Sequence, residues 1–119
     1  MYIKEIKWLD KENNEEIVEI SDSKNVITCY AYSLEYNLGD KVKENLEALE
    51  IEDVISVDII EEEKVIMDGL SCNVIGVLCC DKSVLKIGDL LINIQKENIP
   101  KDINDETKVS ARITRVDLW

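Results

Sequence analysis

Apolar and polar residues alternate along much of the first third of the chain, a pattern typical of β-strands. Residues 2–8 form the first such stretch, with one side more apolar than the other. Residues 15–21 follow a turn at Asn13-Asn14, which predicts a β-hairpin. Residues 26–33 form a third alternating stretch, in which one side is apolar and the other carries tyrosines. The chain is therefore expected to begin with three strands.

The period of the pattern then changes from two residues to that of a helix. Val42, Leu46 and Leu49 recur at helical spacing, with charged residues between them. Asp40 can accept hydrogen bonds from the first turn through its carboxylate. The pattern therefore predicts one short helix over residues 41–50.

Strand patterns return after the expected helix and continue almost to the C-terminus. The segment 72–80 is apolar on both sides, so it is expected to be a central strand or to bend at Gly76. The segment 96–106 carries the only proline, Pro100, and is expected to be a polar loop. The strands predicted in this half are 55–59, 64–68, 72–80, 90–95 and 108–118.

The order of these elements predicts a single globular domain, 1–119, that is mainly β with one short helix. Three strands followed by a helix and a further strand resemble an OB-like barrel over residues 1–61. The extra strands beyond that point indicate an elaborated β-barrel or two small sheets that share a core. The alternative is an α+β sheet with the helix on one face. An architecture of this kind implies no function by itself.

The amino-acid composition restricts the classes of function that this protein can have. The chain has 119 residues, of which 45% are hydrophobic and 34% charged, with a formal net charge of −12. The apolar fraction is that of a folded domain, and the acidity argues against nucleic-acid binding, which relies on clustered Lys and Arg. Residues 1–66 carry −11 of this charge, and the remaining residues carry −1. The acidic half is either a solvated surface or a face for a basic partner.

The localisation predicted from the sequence is cytoplasmic, without membrane insertion. The N-terminus lacks the apolar core of a signal peptide, and the longest apolar run, residues 74–80, is far too short to span a bilayer. The four cysteines are therefore expected to be thiols packed in the core. Cys79 and Cys80, as neighbours on a strand, should point to opposite faces. Their spacing is not that of a zinc site, so no metal and no cofactor are predicted.

Catalytic motifs are not apparent in the sequence. The chain has no histidine, so no serine can be activated by one, and it has no Gly-x-Ser-x-Gly motif or phosphate-binding glycine loop. Carboxylates are abundant, but no spacing selects a catalytic pair. The sequence does not decide whether the protein is an enzyme, but the missing catalytic motifs argue against it.

The candidate binding residues are three tyrosines and the only two arginines. Tyr30 and Tyr32 share one side of a predicted strand, with Tyr36 just beyond, and such groups can stack against bases, sugars or peptides. Arg112 and Arg115 could hold an acidic ligand or pair with nearby carboxylates. We predict a non-enzymatic protein-interaction module, with a protein partner or self-association. The alternative is a small-molecule or sugar-binding barrel, or a carboxylate-based hydrolase, with an aromatic-lined cleft.

Overall fold

The structure, a computed structural model that describes residues 1–119, is mainly β. It contains eleven strands in one hydrogen-bonded sheet and one short 3-10 helix, Lys96–Asn98. The prediction of a mainly β domain is therefore confirmed. The strands are β1 (Tyr2–Asp10), β2 (Glu15–Ser21), β3 (Val26–Tyr32), β4 (Leu46–Ala48), β5 (Ile51–Ser56), β6 (Lys64–Asp68), β7 (Ser71–Cys79), β8 (Val84–Ile87), β9 (Leu90–Asn93), β10 (Lys108–Ile113) and β11 (Val116–Leu118).

The sheet is open. Its strand order is β1-β2-β3-β11-β4-β9-β8-β7-β10-β5, and β6 pairs with β7 outside this path. The end strands β1 and β5 do not pair with each other, so no closed barrel of the OB type forms. The first three strands pair antiparallel in sequence order, as the hairpin pattern predicted. The last strand, β11, then inserts between β3 and β4 and joins the two halves of the chain.

The predicted helix over residues 41–50 is wrong, because residues 46–48 form β4 and the rest of the segment is irregular chain. Leu46 pairs with Ile92 of β9, and Ala48 pairs with Val116 of β11. Leu46 and Ala48 are both buried, so burial against two neighbouring strands prevails over a weak helical period. The alternative of an α+β sheet with this helix on one face is wrong for the same reason.

The C-terminal half differs from its prediction in three places. β5 ends at Ser56, so Ile59 lies in an exposed loop instead of a strand. β8 was not predicted, because its four residues follow a turn and are too few to show a period. The single strand expected over 108–118 is interrupted at Thr114 and Arg115, which lets β11 leave β10 and pair with β3.

β7 is the central strand that its apolar sequence predicted. One of its edges pairs along β10, while the other is shared by β6 and β8. Gly76 lies where that second edge changes partner, and a Cβ atom there would come within 2.7 Å of the Lys86 carbonyl oxygen. The core is one cluster of 26 buried apolar residues. No helix in the structure has the length and apolar character needed to cross a membrane.

Candidate functional site

A cleft of about 470 Å³ lies where three segments of the chain meet. Residues 33–36 leave the end of β3, Glu44 precedes β4, and Trp119 follows β11. We call this the acidic cleft and define it by its lining residues, Ser33, Leu34, Glu35, Tyr36, Glu44 and Trp119.

The sheet topology brings these segments together. β11 runs parallel to β3, with Leu118 opposite Ala31, so Trp119 emerges beside the start of the loop that follows β3. β4 pairs with the other edge of β11, which places the segment that contains Glu44 on the same side of the fold. Ser33 turns the chain out of β3 with a positive φ of 49°, and its N–H donates to the carbonyl of Asn14 at 2.9 Å. The cleft therefore depends on long-range strand pairing.

The polar groups of the cleft are carboxylates and hydroxyls. The Tyr36 hydroxyl donates a hydrogen bond to Glu44. Desolvation and this hydrogen bond both raise the pKa of Tyr36 above its usual value, so the hydroxyl stays protonated. Behind the lining, the buried carboxylate of Glu16 accepts the N–H of Leu34 at 3.3 Å. No Lys or Arg lines the cleft, so its free acceptors favour a cation or a hydrogen-bond donor.

Tyr30 and Arg115, two of the predicted site residues, contact each other outside the cleft. The Arg115 guanidinium lies 4.3 Å from the centre of the Tyr30 ring, a cation–π contact. It also donates two hydrogen bonds to Asp117, at 2.7 and 3.0 Å, and these raise its pKa. The Tyr30 hydroxyl donates to Glu15, which raises the pKa of the phenol. These groups bind one another and form no open site.

Tyr32 and Arg112 lie apart from this cluster. Tyr32 is 54% exposed and stands opposite Glu15 in the β2–β3 pairing. Arg112 is on β10, where its guanidinium is 3.9 Å from Glu52 and 3.8 Å from Asp68. Both arginines therefore pair with carboxylates, as one of the two alternatives expected.

Of the five predicted site residues, only Tyr36 lines the acidic cleft. No sequence pattern indicated Glu35, Glu44 or Trp119 as site residues. Glu44 is one of the charged residues between the apolar positions of the predicted helix over 41–50, and that helix does not form. Trp119 carried no periodic signal at the end of the chain, although an exposed tryptophan is itself a hint of a binding surface.

The cysteines divide into two pairs. Cys29 and Cys72 are buried, as expected, and desolvation raises the pKa of both thiols, that of Cys72 to about 11. Cys79 and Cys80 do not point to opposite faces, because β7 ends at Cys79 and Cys80 has a φ of 58°. Their sulfur atoms lie 3.5 Å apart, and Cys80 is exposed and not packed in the core. The structure holds no group of three or more metal-ligating side chains.

Comparison of the chain with protein-family models, with curated proteins and with solved structures finds no match. The acidic cleft and the paired cysteines are the two features of the structure that offer binding or reactive groups.

Proposed function

We propose that the protein is a non-enzymatic binding module that recognises a basic segment of a protein partner, with one Lys or Arg side chain in the acidic cleft. The observation that supports this is the presence of two carboxylates, Glu35 and Glu44, beside two aromatic side chains, Tyr36 and Trp119. A bound cation is stabilised both by a carboxylate and by an aromatic face. The aromatic face alone contributes about 0.5–2 kcal/mol to its binding. An anionic ligand would be repelled.

The charge distribution supports a basic partner over a second copy of this chain. All lining residues except Trp119 belong to residues 1–66, which carry −11 of the net −12. A field of this sign steers a basic partner toward the cleft and raises its association rate. Another acidic copy would meet the same field with like charge. The partner is therefore expected to be a different, basic protein.

Trp119 provides a direct measurement of occupancy. In a Trp8→Phe background, Trp119 is the only tryptophan, so its fluorescence reports on the cleft. The background variant is titrated with a short peptide of alternating Lys and Gly residues. We expect a saturable fluorescence change whose affinity falls steeply with added salt, because exposed charges are screened.

Charge-neutral variants test whether the cleft or the overall acidity binds the peptide. The double substitution Glu35→Gln and Glu44→Gln should weaken binding about tenfold, or about 1.4 kcal/mol. The double substitution Glu61→Gln and Glu62→Gln, at two exposed glutamates in the loop after β5, removes the same charge as a matched control and should leave the affinity within about twofold. An absence of saturation, or an equal loss in the control variant, would show that the peptide senses only net charge.

A neutral sugar or other polyhydroxylated small molecule is the second candidate. It is supported by the hydroxyl of Ser33, which lines the cleft together with the two carboxylates and the Trp119 ring. Binding of such a ligand would not depend on salt, so the same titration with a neutral oligosaccharide distinguishes it. A carboxylate-based hydrolase is less favoured, because Glu44 already accepts a hydrogen bond from Tyr36.

A further inference from the structure

The adjacent thiols of Cys79 and Cys80 lie at the turn between β7 and β8, away from the buried cysteines. The two sulfur atoms are 3.5 Å apart, in contact without a bond. Cys80 is exposed and Cys79 is partly buried, so a small reagent in solution can reach the pair. A strand would separate the two side chains, and here the backbone brings them together.

An unusual turn holds the sulfur atoms in this position. Cys80, Asp81 and Lys82 have positive φ values of 58°, 58° and 62°, although none of them is glycine. Three successive residues in this region are unfavourable and persist only when surrounding contacts enforce them. The Asp105 carboxylate does so by accepting the N–H groups of Asp81 and Lys82, both at 2.7 Å. The Ser83 hydroxyl also donates to the Cys80 carbonyl at 2.5 Å.

We propose that Cys79 and Cys80 are a reversible redox site that closes to a vicinal disulfide when a peroxide oxidises it. The exposed Cys80 thiolate attacks the peroxide O–O bond and becomes a sulfenic acid, with release of hydroxide. The Cys79 sulfur then attacks the Cys80 sulfur, the S–S bond forms, and the sulfenic oxygen leaves as water. With hydrogen peroxide as the oxidant, two thiols and one peroxide molecule give one disulfide and two waters, because the Cys80 proton neutralises the hydroxide and the Cys79 proton leaves with the sulfenic oxygen.

Covalent geometry makes this disulfide easy to reduce. The Cα atoms of adjacent residues are about 3.8 Å apart across a trans peptide, whereas disulfides usually join Cα atoms about 4.4–6.8 Å apart. The ring that includes the peptide bond between Cys79 and Cys80 is therefore strained. Strained and exposed disulfides have more oxidising potentials and belong to the labile class, so a dithiol reductant should reopen this one.

The other two cysteines provide an internal contrast. Cys29 and Cys72 are fully buried, and desolvation raises the pKa of each thiol, so neither forms the thiolate that a peroxide needs. Burial also denies the reagent access to them. Oxidation under native conditions should therefore stop after one pair of thiols has reacted.

The proposal is tested on the full reduced chain with a small excess of hydrogen peroxide. Titration with a thiol reagent in denaturant should show a fall from four free thiols to two, and the intact mass should fall by two hydrogen atoms. Dithiothreitol should restore both values. Conversion of Cys80 to a sulfinic acid, or formation of disulfide-linked dimers in place of the lighter monomer, would overturn the proposal.

Two variants and one arsenical locate the pair. Cys80→Ser, at an exposed position, should fold and lose the two-hydrogen change in the monomer, whereas Cys72→Ala should keep it. If the mass of Cys80→Ser still falls by two hydrogen atoms after oxidation, the disulfide lies elsewhere and the proposal is wrong. Phenylarsine oxide, which bridges two neighbouring thiols, should protect two thiols of the reduced native chain, and this readout does not depend on how the core variant folds. Failure to protect them would contradict the proposed proximity.

Discussion

The carboxylate of Asp22 ties together two turns that are far apart in sequence. Its Oδ1 accepts the N–H groups of Lys24 at 3.0 Å and Asn25 at 2.6 Å, within the turn between β2 and β3. Its Oδ2 accepts the N–H of Asp89 at 2.8 Å, in the turn between β8 and β9. The same oxygen lies directly against Gly88, where a Cβ atom would collide with it. Replacement of Asp22 by Asn should therefore loosen one of the two turns, because the amide NH₂ would face either the N–H of Asp89 or the N–H groups of Lys24 and Asn25.

The magnitude follows from the acidity of the carboxyl. Burial alone raises the pKa of Asp22, but hydrogen bonds from the N–H groups of Asn25, Asp89 and Lys24 outweigh it and lower the pKa to about 2. Relative to an ordinary aspartate, this corresponds to about 2 kcal/mol of stability. Because the side chain is partly exposed, we expect Asp22→Asn to lower the free energy of unfolding by about 1–2 kcal/mol at pH 7.

The sign of the pH dependence is fixed by the lowered pKa. The contribution of Asp22 is complete above the pKa of the unfolded chain and is lost as the pH falls from about 4 toward 2. Urea unfolding followed by circular dichroism should therefore show a gap between wild type and Asp22→Asn that narrows over this range. Asp102→Asn removes the same charge from an exposed position and is the control. Equal stability at pH 7, or a gap that stays constant down to low pH, would refute the reasoning.

Two further predictions concern the sheet itself. Gly76→Ala should lower the free energy of unfolding, measured by urea denaturation, by about 1–3 kcal/mol, because the new Cβ would lie 2.7 Å from the backbone carbonyl oxygen of Lys86. Asn73→Ala, at an exposed position on the same strand, is the control. Equal effects of the two substitutions would contradict the prediction. Glu19 stands opposite Glu5 on β1, and the hydrogen bond that the two carboxyls share raises the pKa of Glu19 and lowers that of Glu5. A carboxyl whose pKa is raised by folding destabilises the folded protein once it ionises. Glu19→Gln should therefore raise the melting temperature more at pH 7 than at pH 4. An equal shift at both pH values would argue against a shared proton.

The sequence predicted one part of the candidate site and missed the rest for a definite reason. Tyr36 was identified because it lies just beyond Tyr30 and Tyr32, which share one side of β3. Glu44 was assigned to a helix, and Trp119 lies at the end of the chain, so no local pattern linked either of them to Tyr36. Trp119 joins Tyr36 and Glu44 only because β11 inserts between β3 and β4. A contact between segments as far apart in sequence as Tyr36 and Trp119 leaves no periodic trace in either segment.

The prediction for the side-chain directions of Cys79 and Cys80 was wrong for a similar reason, a contact with another part of the chain. Strand geometry predicted that Cys79 and Cys80 point apart, and this would hold if β7 continued through both residues. The turn instead begins at Cys80, where the Asp105 carboxylate from another loop stabilises positive φ values at Asp81 and Lys82. The contact that reverses the prediction comes from 24 residues away.

By itself, the sequence determined that this protein is acidic, mainly β and without histidine chemistry. Alternation over β1 to β3 and the apolar run of β7 are local patterns, and local patterns specify strands because side chains on a strand repeat every two residues. The tertiary structure alone decided that residues 41–50 hold a strand, that the sheet stays open, and which side chains meet in the cleft and at the thiol pair. These outcomes depend on burial against distant partners, and that free energy exists only once the chain has folded.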